Sequence, residues 1–431
     1  MLARTVTHFW PKFRIWLESL SDTRDQEKIT YLRPFMAWQG LMLFLLKLGS
    51  RRQVRFELDS QEALENLNRL GGCHQQAMAH SDTLAHFLGH VPPEALANLR
   101  LRMVQRLIRM KALDNGRLLG RFLVVLDGTG QLYFRHKHCE HCLTKTVEGK
   151  TQYFHHVLEA KLVTPEGLAI SIASEFIQNE DPTASKQDCE LKAFGRLSIQ
   201  LKKDFPQLPL CLCLDGLYAN GTVMETCRQN QWKYFITFKE GSLPAVWKEY
   251  QTLLGLCPQN RKRVELSGGA VQAFAWVQSL EYVDDQKRTQ QFNAFQCLEQ
   301  KGNNRTLFAW LTNFDIDADH VATLANSGGR CRWKIENEGF NTQKNGGFNL
   351  EHAYGTGERQ IKNFYLLLQI AHMILQLMER GSLLNADCKR LFGSIRNLAR
   401  RLAESIRNRL IPREALDLAA AASIQIRINT S

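Results

Sequence analysis

Phe122-Leu-Val-Val-Leu-Asp127-Gly128 and Leu210-Cys-Leu-Cys-Leu-Asp215-Gly216 decide how this chain folds. Each is a short apolar run closed by Asp-Gly, the pattern of a strand buried on both faces. An aspartate at such a place stands at the C-terminal edge of a sheet, where open α/β sheets hold their sites. The glycine behind it lets backbone turn close by. Asp-Gly also serves ordinary turns, so either run alone decides little. A third carboxylate follows on a predicted helix, Arg332-Trp-Lys-Ile-Glu336. Three converging carboxylates make a set of hard oxygen ligands suited to Mg²⁺ or Mn²⁺. Two such ions activate the attacking oxygen and steady the leaving one in phosphoryl transfer.

Outward from these runs, residues 121–350 read as mixed α/β. Strand-like pieces fall at 122–127, 131–135, 157–163, 168–173, 210–214 and 234–238, with a helix at about 186–203 that starts after Pro182-Thr-Ala-Ser185. Residues 240–305 break the alternation. Short pieces at Val264–Leu266, Ala270–Val277 and Phe292–Cys297 suggest a small β-rich insertion, after which Leu307–Thr312 resumes the strand pattern. Residues 1–120 read as a helical, DNA-binding region, with helices at 33–48, 60–70, 81–88 and 93–113. Residues 351–431 read as a helical C-terminal region for DNA contact or dimerisation, with helices at 358–379 and 388–409 and one more before them at 330–343.

On a helix, Arg332 and Glu336 are four apart and share a face. Gln343 and Lys344 lie two turns farther along roughly that face, while Trp333 and Phe340 would pack inward and Ile335 would lie near the flank. Glu338 is the rival ligand, on the far side of the helix. Trp232, Trp276 and Trp310 read as core residues before base-stacking ones.

The Asp-Gly-Thr-Gly at 127–130, the Leu-Asp-Gly-Leu-Tyr-Ala-Asn at 214–220 and the Arg-Trp-Lys-Ile-Glu at 332–336 together resemble the DDE transposases of bacterial insertion sequences. The nearest branch has a β-rich insertion between the second Asp and the Glu, and the resemblance spans roughly 120–375. It implies a ribonuclease H-like catalytic core with Asp127, Asp215 and Glu336 as catalytic metal ligands, Asp127 being shared by two divalent ions. It also implies double-stranded DNA as partner, both terminal inverted repeats and target, and a homodimer in the synaptic complex. That branch carries Tyr, Arg, Glu and Lys at set spacings on its helix. Arg332 and Glu336 keep their spacing. Position 329 is Gly in place of the tyrosine, and position 343 is Gln, with Lys344 displaced by one. A decayed, non-catalytic DNA-binding relative or repressor and a metal-dependent nuclease of the same fold are the alternative readings.

A second cluster is His138-Cys139-Glu-His141-Cys142, with His155 or His156 downstream and Cys189 opening a helix. Cys139, Cys142, His155 and Cys189 would close a tetrahedral zinc site between the strand of Asp127 and the helix before Asp215. The chain is basic, with formal net charge +12 from 55 Lys+Arg against 43 Asp+Glu over 431 residues, which favours a polyanionic partner. Arg100, Arg102, Arg106, Arg109 and Lys111 mark one amphipathic helix, and Arg396, Arg400, Arg401 and Arg407 another; each serves either as a solvated face or as a phosphate-contacting one. The eleven cysteines read as reduced thiols. With no signal-peptide pattern and the apolar run 35–48 too short to span a bilayer, a cytoplasmic, nucleoid-associated bacterial protein without membrane attachment is expected.

Overall fold

The computed structural model describes residues 1–180, 186–384, 388–418 and 425–428. The two apolar runs lie side by side at its centre. β1 (Phe122–Phe134) and β5 (Leu210–Leu214) are parallel, with Phe122 opposite Leu210 and Val125 opposite Cys213. Every residue of β5 is buried, as a central strand covered on both faces requires. β6 (Lys233–Thr237) continues the parallel set beyond β5. On the other edge of β1 the pairing is antiparallel: β3 (Lys150–Val163) lies against β1, and β4 (Ala169–Ile177) against β3. β2 (Leu143–Val147) pairs with the first part of β3. The core order β4-β3-β1-β5-β6, antiparallel on one side and parallel on the other, is a ribonuclease H-like arrangement in a mixed α/β fold.

Several elements differ from their sequence readings. The pieces at 122–127 and 131–135 are one strand, because β3 outruns β5 and keeps pairing with β1 past Asp127. Asp127-Gly128 is therefore no turn; a register shift between Gly130 and Leu132 absorbs the irregularity. The β-rich insertion after β6 is present and more extensive than its sequence pieces. It opens with a helix, and its four strands, β7 (Arg261–Glu265), β8 (Val271–Val283), β9 (Thr289–Lys301) and β10 (Asn304–Thr312), extend the central sheet through the pairing of β10 with β6.

Helices close the sheet. α1 (Leu2–Phe9), α2 (Phe13–Glu18), α3 (Arg33–Leu45), α4 (Arg51–Glu57), α5 (Gln61–Gly71), α6 (Ser81–His90) and α7 (Pro93–Arg109) precede it. α8 (Glu190–Asp204) leads into β5 and packs on β4; it begins four residues later than the expected start at about 186, and the Pro182–Ser185 run before that start lies outside the described residues. α9 (Gly221–Gln229) follows β5 and α10 (Pro244–Leu256) follows β6. The stretch expected as one helix over 330–343 is irregular, as are the residues leading into it: α11 (Val321–Thr323) and a π turn Leu324–Gly328 come first, then a 3₁₀ turn Gly329–Arg332, a π turn Ile335–Asn341 and α12 (Thr342–Asn345).

α13 (Glu358–Arg380) is long and apolar enough to cross a membrane, yet 94% of its most apolar stretch is buried inside the fold. It packs against α1, α3, α6, α7 and β4 and so joins the first helices to the sheet. Several of its polar side chains reach partners on other elements. Asn363 Nδ2 donates to the carbonyls of Leu88 and Val91, each at 2.7 Å, satisfying backbone acceptors at the end of α6. The expected helix at 388–409 is interrupted at Gly393, whose φ of +73° breaks it into α14 (Cys388–Phe392) and α15 (Ile395–Asn408).

Candidate active site at the edge of β1 and β5

The parallel register of β1 and β5, carried two residues past Val125 and Cys213, sets Asp127 beside Asp215. β5 ends there, and Asp215 turns its carboxylate onto the next loop, accepting the Leu217 N–H at 2.8 Å as the cap of the short turn Gly216–Tyr218. Asp127 Oδ1 accepts the N–H of Gly128 at 3.0 Å. Arg332 bridges from the irregular helical stretch. Its Nη1 lies 3.8 Å from Asp127 Oδ2 and its Nη2 3.0 Å from Glu336 Oε1. Glu338 turns away to Lys334, at 3.6 Å. Of the two rival acids, Glu336 is the one brought to Asp127.

Glu190, which the sequence reading passed over, is a fourth carboxylate here. It is the first residue of α8, accepts from Tyr218 OH at 3.3 Å and lies 3.6 Å from His156 Nε2. An acid in the first turn of a helix is ordinary pairing with the helix dipole, so only its place beside the strand leading to Asp215 would have flagged it. Gly128 is glycine because a Cβ there would collide with the Glu190 carboxylate and the His156 ring.

Electrostatics mark the cluster. Burial, opposed by Arg332 and reinforced by Glu336, Glu190 and Asp215, pushes the Asp127 carboxyl up to about 7. Burial and Asp215 likewise raise Glu190. Among the described residues, Arg332 is the one cation ion-paired to Asp127 or Glu336. This oxygen-rich surplus of negative charge fits a divalent, oxygen-seeking ion.

The other predicted residues divide. Lys344 pairs with Glu351 at 2.8 Å and lies close enough to His156 to lower its pKa, a depression led by burial. Gln343 does not face the site; it is buried and donates to Gln369 and His372 at 2.8 and 2.9 Å. Trp333 is 52% exposed rather than packed inward, and Ile335 is buried rather than on the flank. A side chain at 329 would run into the Trp310 indole, which fills the place a tyrosine would need. Trp232, Trp276 and Trp310 are all buried.

Of the basic helix residues, Arg109, Arg400 and Arg401 are exposed and Arg106 is half-buried. Arg100 leaves the expected basic face altogether. It is buried, donates to Ser171 Oγ at 2.8 Å and lies 4.0 Å from Glu159, which also accepts from Tyr365 OH at 2.7 Å. Cys139, Cys142 and His155 come together with their ligand atoms within 4.8 Å of one another. Cys189 does not join them: it is exposed at the N-cap of α8, where its backbone is committed to starting the helix.

No family model matches the chain, and no curated protein matches it. Among solved structures it is similar to a piggyBac transposase, solved by cryo-EM as a synaptic complex with hairpin DNA. The similarity covers 94% of this chain and 79% of that one, at 10% identity and a TM-score of 0.41.

Proposed function

We propose that this chain is a DNA transposase of an insertion sequence, which cuts the element ends and joins their 3′-hydroxyls to target DNA. One observation carries the proposal: Asp127 and Asp215 stand abreast on adjacent parallel strands, and Arg332 holds Glu336 to Asp127. Asp127, Asp215 and Glu336 would hold two Mg²⁺ or Mn²⁺ ions, which supply activation of the attacking oxygen and neutralisation of the leaving one. The chain's own residues do the positioning. Arg332 is placed to take a non-bridging phosphate oxygen once its carboxylate partners turn to metal. Lys344, near His156, offers a second phosphate contact. Arg106, Arg109, Arg400 and Arg401 would follow the duplex backbone, with a steep salt dependence. A homodimer would hold the two element ends, and the protein would work at the nucleoid in the cytoplasm.

The test incubates purified protein, Mg²⁺, a target plasmid and labelled DNA from the ends flanking its gene. Joined products support the proposal. Cutting without joining indicates a nuclease, and binding without cutting a repressor; either outcome refutes the transposase assignment.

A further inference from the structure

Among the described residues, the strongest concentration of ligating atoms outside the carboxylate cluster lies between the loop joining β1 to β2 and the facing part of β3. We propose that Cys139, Cys142 and His155 bind one Zn²⁺ ion, which ties this loop to β3. The three separations are Cys139 Sγ to Cys142 Sγ 3.5 Å, Cys139 Sγ to His155 Nε2 3.5 Å, and Cys142 Sγ to His155 Nε2 3.6 Å. A tetrahedral zinc with bonds of about 2.3 Å to sulfur and about 2.0 Å to nitrogen sets ligands about 3.8 Å apart for S–S and about 3.5 Å for S–N. The triangle is thus already sized for the ion. A disulfide would bring the sulfurs to about 2.05 Å. Free buried cysteines are usually isolated among apolar groups, whereas here two thiols and an imidazole nitrogen converge on one point.

The chemistry of the donors agrees. Two thiolates and a neutral imidazole balance the charge of Zn²⁺, and soft sulfur with nitrogen selects zinc over the magnesium that suits the carboxylates. His155 is buried beside the two thiols, its Nε2 facing both sulfurs. The other histidines of the loop are engaged elsewhere: His138 Nε2 with the Thr356 carbonyl at 2.6 Å, and His141 Nδ1 with the Asn179 carbonyl at 2.9 Å. A tetrahedral ion held by these three residues would take its fourth ligand on the side of Cys139, the one member of the set that is only partly buried. The Cys142 carbonyl accepts from Asn179 Nδ2 at 3.0 Å, fixing the loop from outside.

The location gives the ion a task. His155 pairs with Leu132 and His156 with Gly130, on either side of the register shift in β1. Neighbouring residues of a strand face opposite ways: His155 looks to the thiols, His156 to Glu190. An ion on His155 would pin the strand whose next residue touches the carboxylate cluster.

Zinc content of the full-length protein tests this, and no DNA activity enters the readout, so its outcome is separable from that of the proposed function. Wild type expressed with zinc and purified anaerobically should carry about one equivalent, and Cys139→Ser, Cys142→Ser or His155→Ala less than about 0.2. Cys189→Ser should keep the full equivalent. Should the ligand variants fail to fold, cobalt substitution of wild type provides the check, since two thiolates give an intense sulfur-to-cobalt charge-transfer band. Wild type below about 0.2 equivalents, a Cys139–Cys142 disulfide in anaerobically purified protein, absence of that band, or loss of zinc in Cys189→Ser would each overturn the assignment.

Discussion

Replacing Asp127 by Asn should remove activity and, without metal, make the protein more stable at alkaline pH. The carboxyl is raised from 3.8 to about 7 by burial and by Glu336, Glu190 and Asp215, against the pull of Arg332. A raised acid pKa means the fold binds the proton more tightly than the unfolded chain. Stability therefore falls as pH climbs from about 4 to about 7 and stays reduced above it. At about 1.36 kcal/mol per pKa unit the full cost of ionising Asp127 in the fold is about 4 kcal/mol. About 1.5 kcal/mol of it is already present at pH 5, leaving about 2–3 kcal/mol to develop by pH 8.

Asparagine keeps the shape and never ionises, so its advantage over wild type should grow by that amount between pH 5 and pH 8. For a chain of 431 residues the unfolding entropy is about 0.9 kcal/mol/K, which converts the gain to about 3 °C in Tm. Thermal unfolding in EDTA at the two pH values measures it. Adding Mg²⁺ at pH 8 should raise the Tm of wild type and leave Asp127→Asn nearly unmoved, because the ion takes over the role of the missing counter-charge. An Asn variant destabilised equally at pH 5 and pH 8 would refute the claim that Asp127 is buried among like charges.

Four further outcomes are expected. Glu336→Gln should lower strand joining at least about 100-fold, while Glu338→Gln retains it within a few-fold; the reverse order in a plasmid-joining assay would move the third ligand to Glu338. Glu190→Gln should raise the Mg²⁺ concentration needed for half-maximal cutting, by about 10–100-fold, which a metal titration reads directly. Glu159→Gln should cost about 3–5 kcal/mol in urea unfolding, since it strands the buried cations Arg100 and Lys161, at 4.0 and 3.9 Å. Arg400→Ala with Arg401→Ala should weaken DNA binding evenly across sequences and flatten its salt dependence by about two; an unchanged slope would place the duplex elsewhere.

Asp127 and Asp215 were legible because an apolar run closed by a charged residue leaves little freedom about where the carboxylate emerges. The register of β1 and β5 then brings the two together. Glu336 was legible through its spacing from Arg332, a pairing that survives even though the helix there is not α-helical. What escaped had no local signature. Glu190 looks like any acid at a helix start, and Arg100 and Lys161 look like surface charges until β4 and α13 enclose them. The edge strand β2, with one buried residue in five, carries too little alternation to be seen. Cys189 was misplaced for a related reason: sequence spacing brought it near the thiols, but capping α8 holds it at the surface.

The irregular helical stretch also accounts for the two motif positions that depart from the transposase pattern. At 329 the space for a tyrosine is taken by the Trp310 indole, so glycine is the residue that fits. The lysine is displaced by one, and an unbroken α-helix would carry Lys344 about 80° away from Glu336, since eight residues advance about 800°. The stretch is not unbroken. Ile335–Asn341 winds as a π turn, which takes in one residue more than an α turn. A residue eight positions on then lands where the seventh would in an α-helix, back near the phase of Glu336. The placements agree: Lys344 reaches the field of His156, beside Glu190, while Gln343, at the usual lysine spacing, is turned into the core against Gln369 and His372. The π turn offsets the one-residue shift in sequence, and Lys344, paired with Glu351, stays close enough to His156 to act on its charge.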